Sequence, residues 1–509
     1  MCRQQKSEKN SSPKANNFST KQILPVVIAL VSGTVYGHGA IAHPDKHENY
    51  DAYIASMVRA EEQSGQAVFK RYVNQALGNL KVHVLMSELM DATLGKQANA
   101  VVGGNPVLHG QWGPLTTWPF VFASAANLPD GRILTWGGNN PRSFTGGTFT
   151  YAATWNPSSG QIVSVNHPSH SLFCGVPVML EDGRIFVNGG DNANASSVRG
   201  TSTFNYTTQS WTRIQDLAVG RWYNGSAALP NGKVFSALGE PGSIYPELWT
   251  QGVGWSYLNG ISFQSAVLDY PTVTEPKNWL PHLHLAPNGK IFHSGHTPQM
   301  NYIDPTGNGT LLPVSLSNEW NTANTPSVLY DEGKILQSGG ALYTAGNPSS
   351  GKSLLLDLNA GVPSKAANAD MQFPRIFHNE VVLPNGEVMV IGGNAGEKFS
   401  DVASQLTPEI WNPDTKTWRQ MSDISVPRNY HSVALLMTDG RVWSGGGGLC
   451  NCAADHADSQ VFSPPYLFNA NGSLATRPEI IQAPDLVSYG TTVNVTASPG
   501  ISRFTLVRM

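Results

Sequence analysis

Charged residues are scarce in this sequence. Only 13% of its 509 residues are Asp, Glu, Lys or Arg, and the formal net charge is -3. A chain with so little charge of either sign exerts no long-range attraction on nucleic acid or anionic lipid. The composition therefore excludes nucleic acid as a partner and predicts no stable membrane contact for the mature chain.

The N-terminal apolar run is shorter than a typical membrane-spanning helix. The run ILPVVIALVSGTVYG falls below the roughly 20 residues that a bilayer requires. Five basic residues precede the run, and the small-residue triplet Ala40-Ile41-Ala42 follows it. This order is typical of a secretion signal. It predicts a signal peptide at 1–42 and a secreted or extracytoplasmic protein, with an uncleaved membrane anchor as the alternative.

Cysteine is nearly absent, and the few that occur are odd in number once the signal is removed. Of four cysteines, Cys2 leaves with the signal, and Cys174, Cys450 and Cys452 remain. An exported protein with three cysteines is expected to hold one pair and one thiol that needs an explanation. Cys450 and Cys452 can pair only across a tight loop, which leaves Cys174 over.

The rest of the chain divides into two parts with different residue patterns. Residues 47–99 lack proline and place apolar residues at three- and four-residue intervals, which predicts helices over 43–100, of unknown role. From residue 101 the chain changes to short apolar runs separated by glycine, proline and asparagine, as in strands and turns.

The part of the chain that begins at residue 101 is built from a sequence repeat. Seven copies of an apolar strand, an acidic or amide turn ending in glycine, and a second apolar strand follow one another. Measured between turn glycines they lie about 50 residues apart, the period of kelch propeller blades. The turn glycines are Gly131, Gly183, Gly232, Gly289, Gly333, Gly386 and Gly440.

One repeat cannot fold alone. Its D-G or N-G turn is expected to accept the positive φ of a tight hairpin, and segments such as EIWNPDTKTW supply two more strands around an N-P turn. Such a four-stranded sheet buries its faces only by stacking against copies of itself. The sequence thus predicts an all-β fold: a seven-bladed kelch-type β-propeller over 101–462, followed at 463–509 by the first part of an immunoglobulin-like β-sandwich.

One position in the repeat carries unusual side chains. Nine residues before the turn glycine stand Cys174, Tyr223 and His431, with Tyr430 beside the last. Alone, a buried cysteine or tyrosine is usually packing. Their coincidence in one register places them at one depth around the axis, and an imidazole nitrogen with phenolate oxygens suits copper(II). The other copies carry Phe122, Leu280, Asn324 and Phe377 there.

These motifs resemble a known enzyme family. The segments SLFCGVPV, VGRWYNGSAAL and PRNYHSVALLMTDGRVWSGGGGLC are similar to those of the galactose oxidase and glyoxal oxidase family of copper radical oxidases. The resemblance implies a thioether between Cys174 and Tyr223, with Tyr223 as a copper ligand and the radical site. It implies that Tyr430 is the axial phenolate that accepts the substrate proton, and that His431 is an equatorial ligand.

The resemblance also implies a reaction and its partners. Family enzymes oxidise a primary alcohol, an aldehyde or a carbohydrate and pass two electrons to O2, giving H2O2. Copper acidifies the bound hydroxyl and the phenolate accepts its proton. We accordingly expect a monomeric oxidase with copper and the Cys174-Tyr223 cofactor.

The sequence departs from the family in three places. The second histidine ligand of the family follows a strand resembling FTLVR, whereas this sequence ends at Met509, so we expect an incomplete C-terminal domain and a site one ligand short. His282, His284 and His378 are the candidate replacements. Where galactose oxidase shields the radical with an indole, this sequence reads LGEPGS, and Trp222, Trp279 and Trp320 are the candidates.

The third departure is LCNCAADH, whose cysteines are one residue closer than in the family. A disulfide between Cys450 and Cys452 is the leading interpretation, and a metal site using His456 is the minor one. For the whole chain, the alternative to an oxidase is a non-catalytic kelch propeller that acts as an extracellular binding or structural module.

Overall fold

The fold was analysed in a computed structural model. It describes residues 104–144, 147–191, 198–240, 244–264, 267, 278–295, 297–317, 324–341, 349–395, 398–484, 487, 491–501 and 503–507. The predicted signal peptide (1–42) and helical segment (43–100) lie outside the described residues. Within those residues, no helix has the length and apolar character that crossing a bilayer demands.

Seven antiparallel sheets follow one another along the chain, and they confirm the predicted all-β seven-bladed propeller. The strands of the first three are β3 (Ser124–Asn127), β4 (Ile133–Trp136), β5 (Ala152–Trp155) and β6 (Ile162–Ser164); β7 (Val176–Met179), β8 (Ile185–Asn188), β9 (Thr201–Asn205) and β10 (Ser210–Arg213); and β11 (Gly225–Ala228), β12 (Val234–Ala237), β13 (Glu247–Thr250) and β14 (Gly254–Tyr257).

The next three blades repeat the pattern. Their strands are β15 (His282–Leu285), β16 (Ile291–Gly295), β17 (Gln299–Asp304) and β18 (Thr310–Ser317); β19 (Ser327–Asp331), β20 (Lys334–Ser338), β21 (Ser353–Asp357) and β22 (Ser364–Ala367); and β23 (Ile376–Val382), β24 (Val388–Asn394), β25 (Glu409–Asn412) and β26 (Thr417–Gln420).

Blade 7 is assembled from both ends of the propeller. Its strands β27 (Ser432–Leu436), β28 (Val442–Gly446) and β29 (Asp458–Ser463) are completed by β1 (Gln111–Trp112) and β2 (Thr116–Thr117). Both early strands pair antiparallel with β29. A short helix, α1 (Pro106–His109), precedes them. The ring is thereby closed through backbone hydrogen bonds between segments far apart in sequence.

The core lies between neighbouring sheets. The second strand of each blade is buried along most or all of its length, as in β4 and β8. One cluster joins Phe122 and Trp155 of blade 1 to Trp443 of blade 7, and the next joins Trp136 of blade 1 to Val187 of blade 2. The apolar strand runs of the repeat are therefore explained by sheet-to-sheet packing.

The hairpin turns differ in one respect from the prediction. Each turn glycine has a positive φ, between 65° and 86°, but the Asp or Asn before it does not, so the expectation of positive φ at both residues is wrong. The acidic or amide side chain instead accepts a backbone N–H two residues on, as in Asp130 with Arg132 at 3.2 Å and Asp439 with Arg441 at 3.0 Å. The D-G and N-G pairs thus act through a side-chain turn and one left-handed glycine.

The segment after blade 7 has little regular structure among its described residues. A 3₁₀ turn (Pro465–Leu467) is followed by two short paired strands, β30 (Ile480–Gln482) and β31 (Thr496–Ala497). Its assignment to an immunoglobulin-like sandwich stays a prediction.

Candidate functional site

The position nine residues before the turn glycine is one structural ring. Six of its seven residues adopt left-handed backbone with φ between 49° and 72°; Phe122 of blade 1 is the exception. These six are Cys174, Tyr223, Leu280, Asn324, Phe377 and His431. Left-handed backbone costs a non-glycine residue about 1 kcal/mol or more. Its recurrence shows that every blade from the second onward enters its first strand in the same strained way.

Backbone hydrogen bonds link this ring position from blade to blade. The Tyr223 N–H donates to the Cys174 carbonyl at 3.2 Å, and the Leu280 N–H donates to the Tyr223 carbonyl at 2.7 Å. The Phe377 N–H donates to the Asn324 carbonyl at 2.7 Å. Residues that occupy the same position in successive repeats are therefore neighbours at one end of the central axis.

The two tyrosines meet across the ring. Their hydroxyl groups are hydrogen bonded to each other, although the residues are separated by 207 positions in the chain. Tyr223 is 8% exposed and Tyr430 is 7% exposed. Burial, followed by the neighbouring Cys174 and Tyr430, raises the pKa of Tyr223 well above its usual value. Two phenol oxygens thus converge in a water-poor pocket.

Cys174 joins the same cluster. Its side chain packs against the group that contains Tyr223 and Tyr430. Burial raises the pKa of the Cys174 thiol, and the neighbouring Tyr223 phenol opposes this only in part. Cys174, the free cysteine among the described residues, is therefore a neutral thiol in the same cluster as Tyr223. Tyr223 is the residue to which the family resemblance links it.

His431 has one ring nitrogen held by a hydrogen bond and the other without a partner among the described residues. Its Nδ1 lies 2.7 Å from the Gly448 carbonyl oxygen, so Nδ1 carries the proton and donates. Nε2 then carries a free electron pair, and this atom is buried without a hydrogen-bond partner among the described residues. Burial lowers the pKa of His431 to about 4, against the opposing effect of the Gly448 bond. A neutral imidazole with one nitrogen fixed and the other open is the usual form of a histidine ligand.

The glycine cluster that follows Tyr430 and His431 supports this arrangement. The Gly448 N–H donates to the Tyr430 carbonyl at 2.8 Å, while the Gly448 carbonyl accepts from His431. Gly448 has a φ of 83°, and a Cβ there would lie 2.3 Å from the Ala454 carbonyl oxygen. Only glycine can bring the backbone close enough to hold both residues.

Aromatic rings cover the cluster. The Tyr430 and His431 rings stack with centroids 3.9 Å apart, and Phe399 lies 5.3 Å from Tyr430. Trp279 lies 4.9 Å from Tyr223, and Trp222 lies 4.4 Å from it. Of the three predicted shield candidates, two therefore contact Tyr223, and Trp320 lies outside the described residues.

Comparison with known proteins identifies the family. The family described as Glyoxal oxidase N-terminus matches residues 148–457. The chain belongs to the galactose oxidase and glyoxal oxidase family. It is 33% identical to a galactose oxidase of Gibberella zeae over 451 residues, which cover 81% of this chain and 63% of that protein. An aldehyde oxidase GLOX of Vitis pseudoreticulata is 27% identical over 363 residues, 64% of this chain and 66% of that protein.

A solved structure of this family has the same fold. A fungal alcohol oxidase of the AA5 family, described as in complex with copper, superposes with a TM-score of 0.71 at 32% identity and covers 76% of this chain and 84% of its own. The chain spans less than two thirds of the length of the galactose oxidases that it matches.

The structure gives the three candidate replacement histidines other partners. His282 Nε2 lies 2.9 Å from the Thr325 carbonyl oxygen, and His284 Nε2 lies 2.8 Å from Ser327 Oγ. His378 Nε2 lies 3.3 Å from Ser338 Oγ. These bonds tie all three to blade 5, and we assign none of them to the site of this family member.

Cys450 and Cys452 form a disulfide in the structure, as the leading interpretation predicted. His456 is not part of a cluster with them. Its Nε2 lies 3.0 Å from Asp401 Oδ1 instead.

Sequence reasoning missed Lys398 and Phe399. Lys398 Nζ lies 4.9 Å from the Tyr430 ring centroid and 5.5 Å from the Trp279 centroid. Both residues belong to the segment after β24, which falls outside the repeated strands and turns. A comparison of the copies in register therefore could not find them.

Proposed function

We propose that the chain is a secreted copper radical oxidase that oxidises a primary alcohol or an aldehyde and produces H2O2 from O2. The observation that carries the proposal is the convergence of Cys174, Tyr223, Tyr430 and His431 on one buried pocket. The His431 Nε2 lone pair has no hydrogen-bond partner there. One imidazole nitrogen and two phenol oxygens form a donor set that copper(II) accepts.

The resemblance to the family gives each of these residues a role. Tyr223, Tyr430 and His431 would hold the copper, which supplies the Lewis acidity and one-electron chemistry of the reaction when bound. Tyr430, whose hydroxyl contacts that of Tyr223, would accept the hydroxyl proton of the substrate, as the resemblance to the family implies. Tyr223, joined to Cys174, would lose and regain the second electron. Trp222 and Trp279 cover its ring and limit the access of water.

The balance of the reaction is simple. A primary alcohol loses two electrons and two protons and becomes an aldehyde, and O2 gains both pairs and becomes H2O2. Formation of the Cys174–Tyr223 thioether is also a two-electron oxidation. One S–H and one aromatic C–H bond break, one C–S bond forms, and O2 takes up the two hydrogens.

The thioether gives a test that does not depend on turnover. Purified protein exposed to copper and oxygen should show an intact mass lower by two hydrogens than protein kept without copper, because thioether formation removes one S–H and one C–H hydrogen. Cys174→Ala should abolish the shift. Cys450 and Cys452 offer no competing loss, since they are already a disulfide. A tryptic map should place the loss on the linked peptides that carry Cys174 and Tyr223.

Peroxide release completes the test. A coupled peroxidase assay with small primary alcohols and aldehydes should give a signal that requires copper and disappears in Tyr430→Phe. An unchanged mass together with no peroxide from any substrate would favour the non-catalytic kelch module.

A further inference from the structure

Asp401 accepts hydrogen bonds from two separate segments that border the candidate site. Its Oδ1 lies 2.6 Å from Asn429 Nδ2 and 3.0 Å from His456 Nε2, and its Oδ2 lies 3.1 Å from the same His456 atom. Because the carboxylate accepts these bonds, His456 Nε2 carries a proton and donates. Asp401 thereby joins the segment after β24 to the segment before β27 and to the one after β28.

The segment before β27 carries the two adjacent residues proposed as copper ligands. Asn429 directly precedes Tyr430 in the chain, and it is 0% exposed. Its backbone carbonyl accepts from the Ser432 N–H at 3.0 Å, which closes a turn around Tyr430 and His431. Holding the Asn429 side chain therefore fixes the backbone from which both proposed ligands project.

The segment after β28 is linked to the same two ligands by other hydrogen bonds. The His456 N–H donates to the Gly447 carbonyl at 3.0 Å. The next glycine, Gly448, donates to the Tyr430 carbonyl and accepts from His431 Nδ1. The carboxylate therefore reaches both proposed ligands by a second route, through the glycine cluster.

The segment that contains Asp401 also covers the ligands. Phe399, two residues before it, has its ring centroid 5.3 Å from that of Tyr430 and 5.6 Å from that of His431. The Asp401 side chain is 34% exposed, whereas that of His456 is 12% exposed. One carboxylate thus ties together the backbone of the ligands, the loop that bonds them and the aromatic ring beside them.

We propose that Asp401 is a positioning residue that sets the orientation of Tyr430 and His431 toward copper, through the two neighbours whose hydrogen bonds it accepts. The inference rests on the oxidase function proposed above and adds a residue to its site. Asp401 acts through the ligands and does not itself bind metal or substrate. Outer partners that orient a metal ligand typically change metal affinity by about 10- to 100-fold when they are removed.

Copper affinity gives the first test. The Kd of copper-free protein for copper(II), measured against a competing chelator, should rise about tenfold or more in Asp401→Ala. Asp401→Asn, which has nearly the same size, should show a smaller rise, because its amide oxygen accepts without the help of a negative charge. The copper(II) EPR spectrum of both variants should differ from that of the wild type. A general loss of stability would not change that spectrum in protein that is still folded.

Asp423→Ala is the matched control. Asp423 is half-buried, as Asp401 is, and it accepts a hydrogen bond of the same length, 2.6 Å, from Thr407 Oγ1. Its variant should keep the wild-type Kd and EPR spectrum. A wild-type Kd and spectrum in both Asp401 variants, or an equal change in Asp423→Ala, would overturn the inference while leaving the oxidase proposal intact.

Amide hydrogen exchange in copper-free protein separates this inference from the oxidase proposal. The Gly448 and His456 N–H groups should exchange severalfold faster in Asp401→Ala than in the wild type or in Asp423→Ala, because the bonds that protect them lose their anchor. If the wild type binds no copper and yields no peroxide, the oxidase proposal fails, and faster exchange would still support the positioning role. Unchanged exchange at both amides would overturn that role.

Discussion

At the scale of single residues, the candidate site combines chemical variety with one backbone geometry. Cys174, Tyr223 and His431 share left-handed backbone although their side chains have nothing in common. The sequence predicted that they share a ring position, because counting from the turn glycine requires only the repeat. It could not predict the hydroxyl contact between Tyr223 and Tyr430, since that depends on how far each side chain reaches across the axis.

Other residues of the site carry no signal in the sequence. Lys398 and Phe399 lie in a connection whose length differs among the copies. Their places over the Tyr430 ring follow from the course of that connection, and the repeat does not constrain it.

Buried neutral histidine makes the stability of the fold depend on pH. Burial lowers the pKa of His284 to about 4, below the value of about 6.5 in an unfolded chain. Between these values the unfolded chain binds a proton that the folded chain does not, so the free energy of unfolding decreases as the pH falls through this window. The effect of this one residue is of the order of 3 kcal/mol at its limit.

Denaturant titrations from about pH 7 to about pH 4 test this expectation. His284→Gln keeps a group able to bond Ser327 but cannot titrate, so its unfolding free energy should fall less steeply with acid than that of the wild type. Identical slopes for the two proteins would show that His284 is not the responsible group.

At the scale of elements, buried arginine–carboxylate pairs hold the chain where it approaches the ring position. Arg221 and Arg375 each lie two residues before it, and Arg428 lies three residues before it. Each donates to the backbone carbonyl of a residue in or just after the second strand of its blade: Leu238, Gly392 and Gly446 respectively. The carboxylate partners are Glu247, Glu409 and Asp458. The recurrence indicates that the strained entry into the first strand is stabilised by this anchor.

Breaking one such anchor should be costly. The side chains of Arg221 and Glu247 are both 0% exposed, with Nη2 3.1 Å from Oε1. Arg221→Met leaves a buried carboxylate without its cation, and we expect a loss of about 3–5 kcal/mol in unfolding free energy. Adding Glu247→Gln should recover much of this loss, because the neutral amide no longer needs a counter-charge.

The matched control is an exposed pair. Arg213 and Asp216 have side chains 37% and 41% exposed, so Arg213→Met should cost less than about 1 kcal/mol. Equal losses for Arg213→Met and Arg221→Met would contradict the anchoring role of Arg221.

At the scale of the whole molecule, the repeat predicts the number of blades but not how the ring closes. The seven turn glycines predict seven hairpins, and the propeller has seven sheets among the described residues. The closing strands β1 and β2 contain two residues each, too few for an alternating pattern. Their pairing with β29 spans nearly the whole propeller, and no local feature of the sequence indicates it.

Closure of the propeller ring by β1 can be tested by comparing two tryptophans. Trp112 on β1 and Trp211 on β10 are both half-buried tryptophans on outer strands. Both indoles donate to a backbone carbonyl, at 2.8 Å to Ser422 and 2.7 Å to Val165. Replacing either by alanine should cost about 3 kcal/mol of unfolding free energy. The strand of Trp211 is also tied to β9 by a short turn, whereas β1 depends on its contact with β29 and Phe462.

Trp112→Ala should therefore release the closing segment, and Trp211→Ala should not. We expect thermolysin to cleave Trp112→Ala between residues 104 and 118 under conditions in which Trp211→Ala is intact there, as read by mass spectrometry of the fragments. The denaturant m-value should also fall in Trp112→Ala, because a ring that has opened exposes less new surface when it unfolds. Equal cleavage of both variants in this segment would mean that pairing of β1 with β29 is not what keeps the propeller closed.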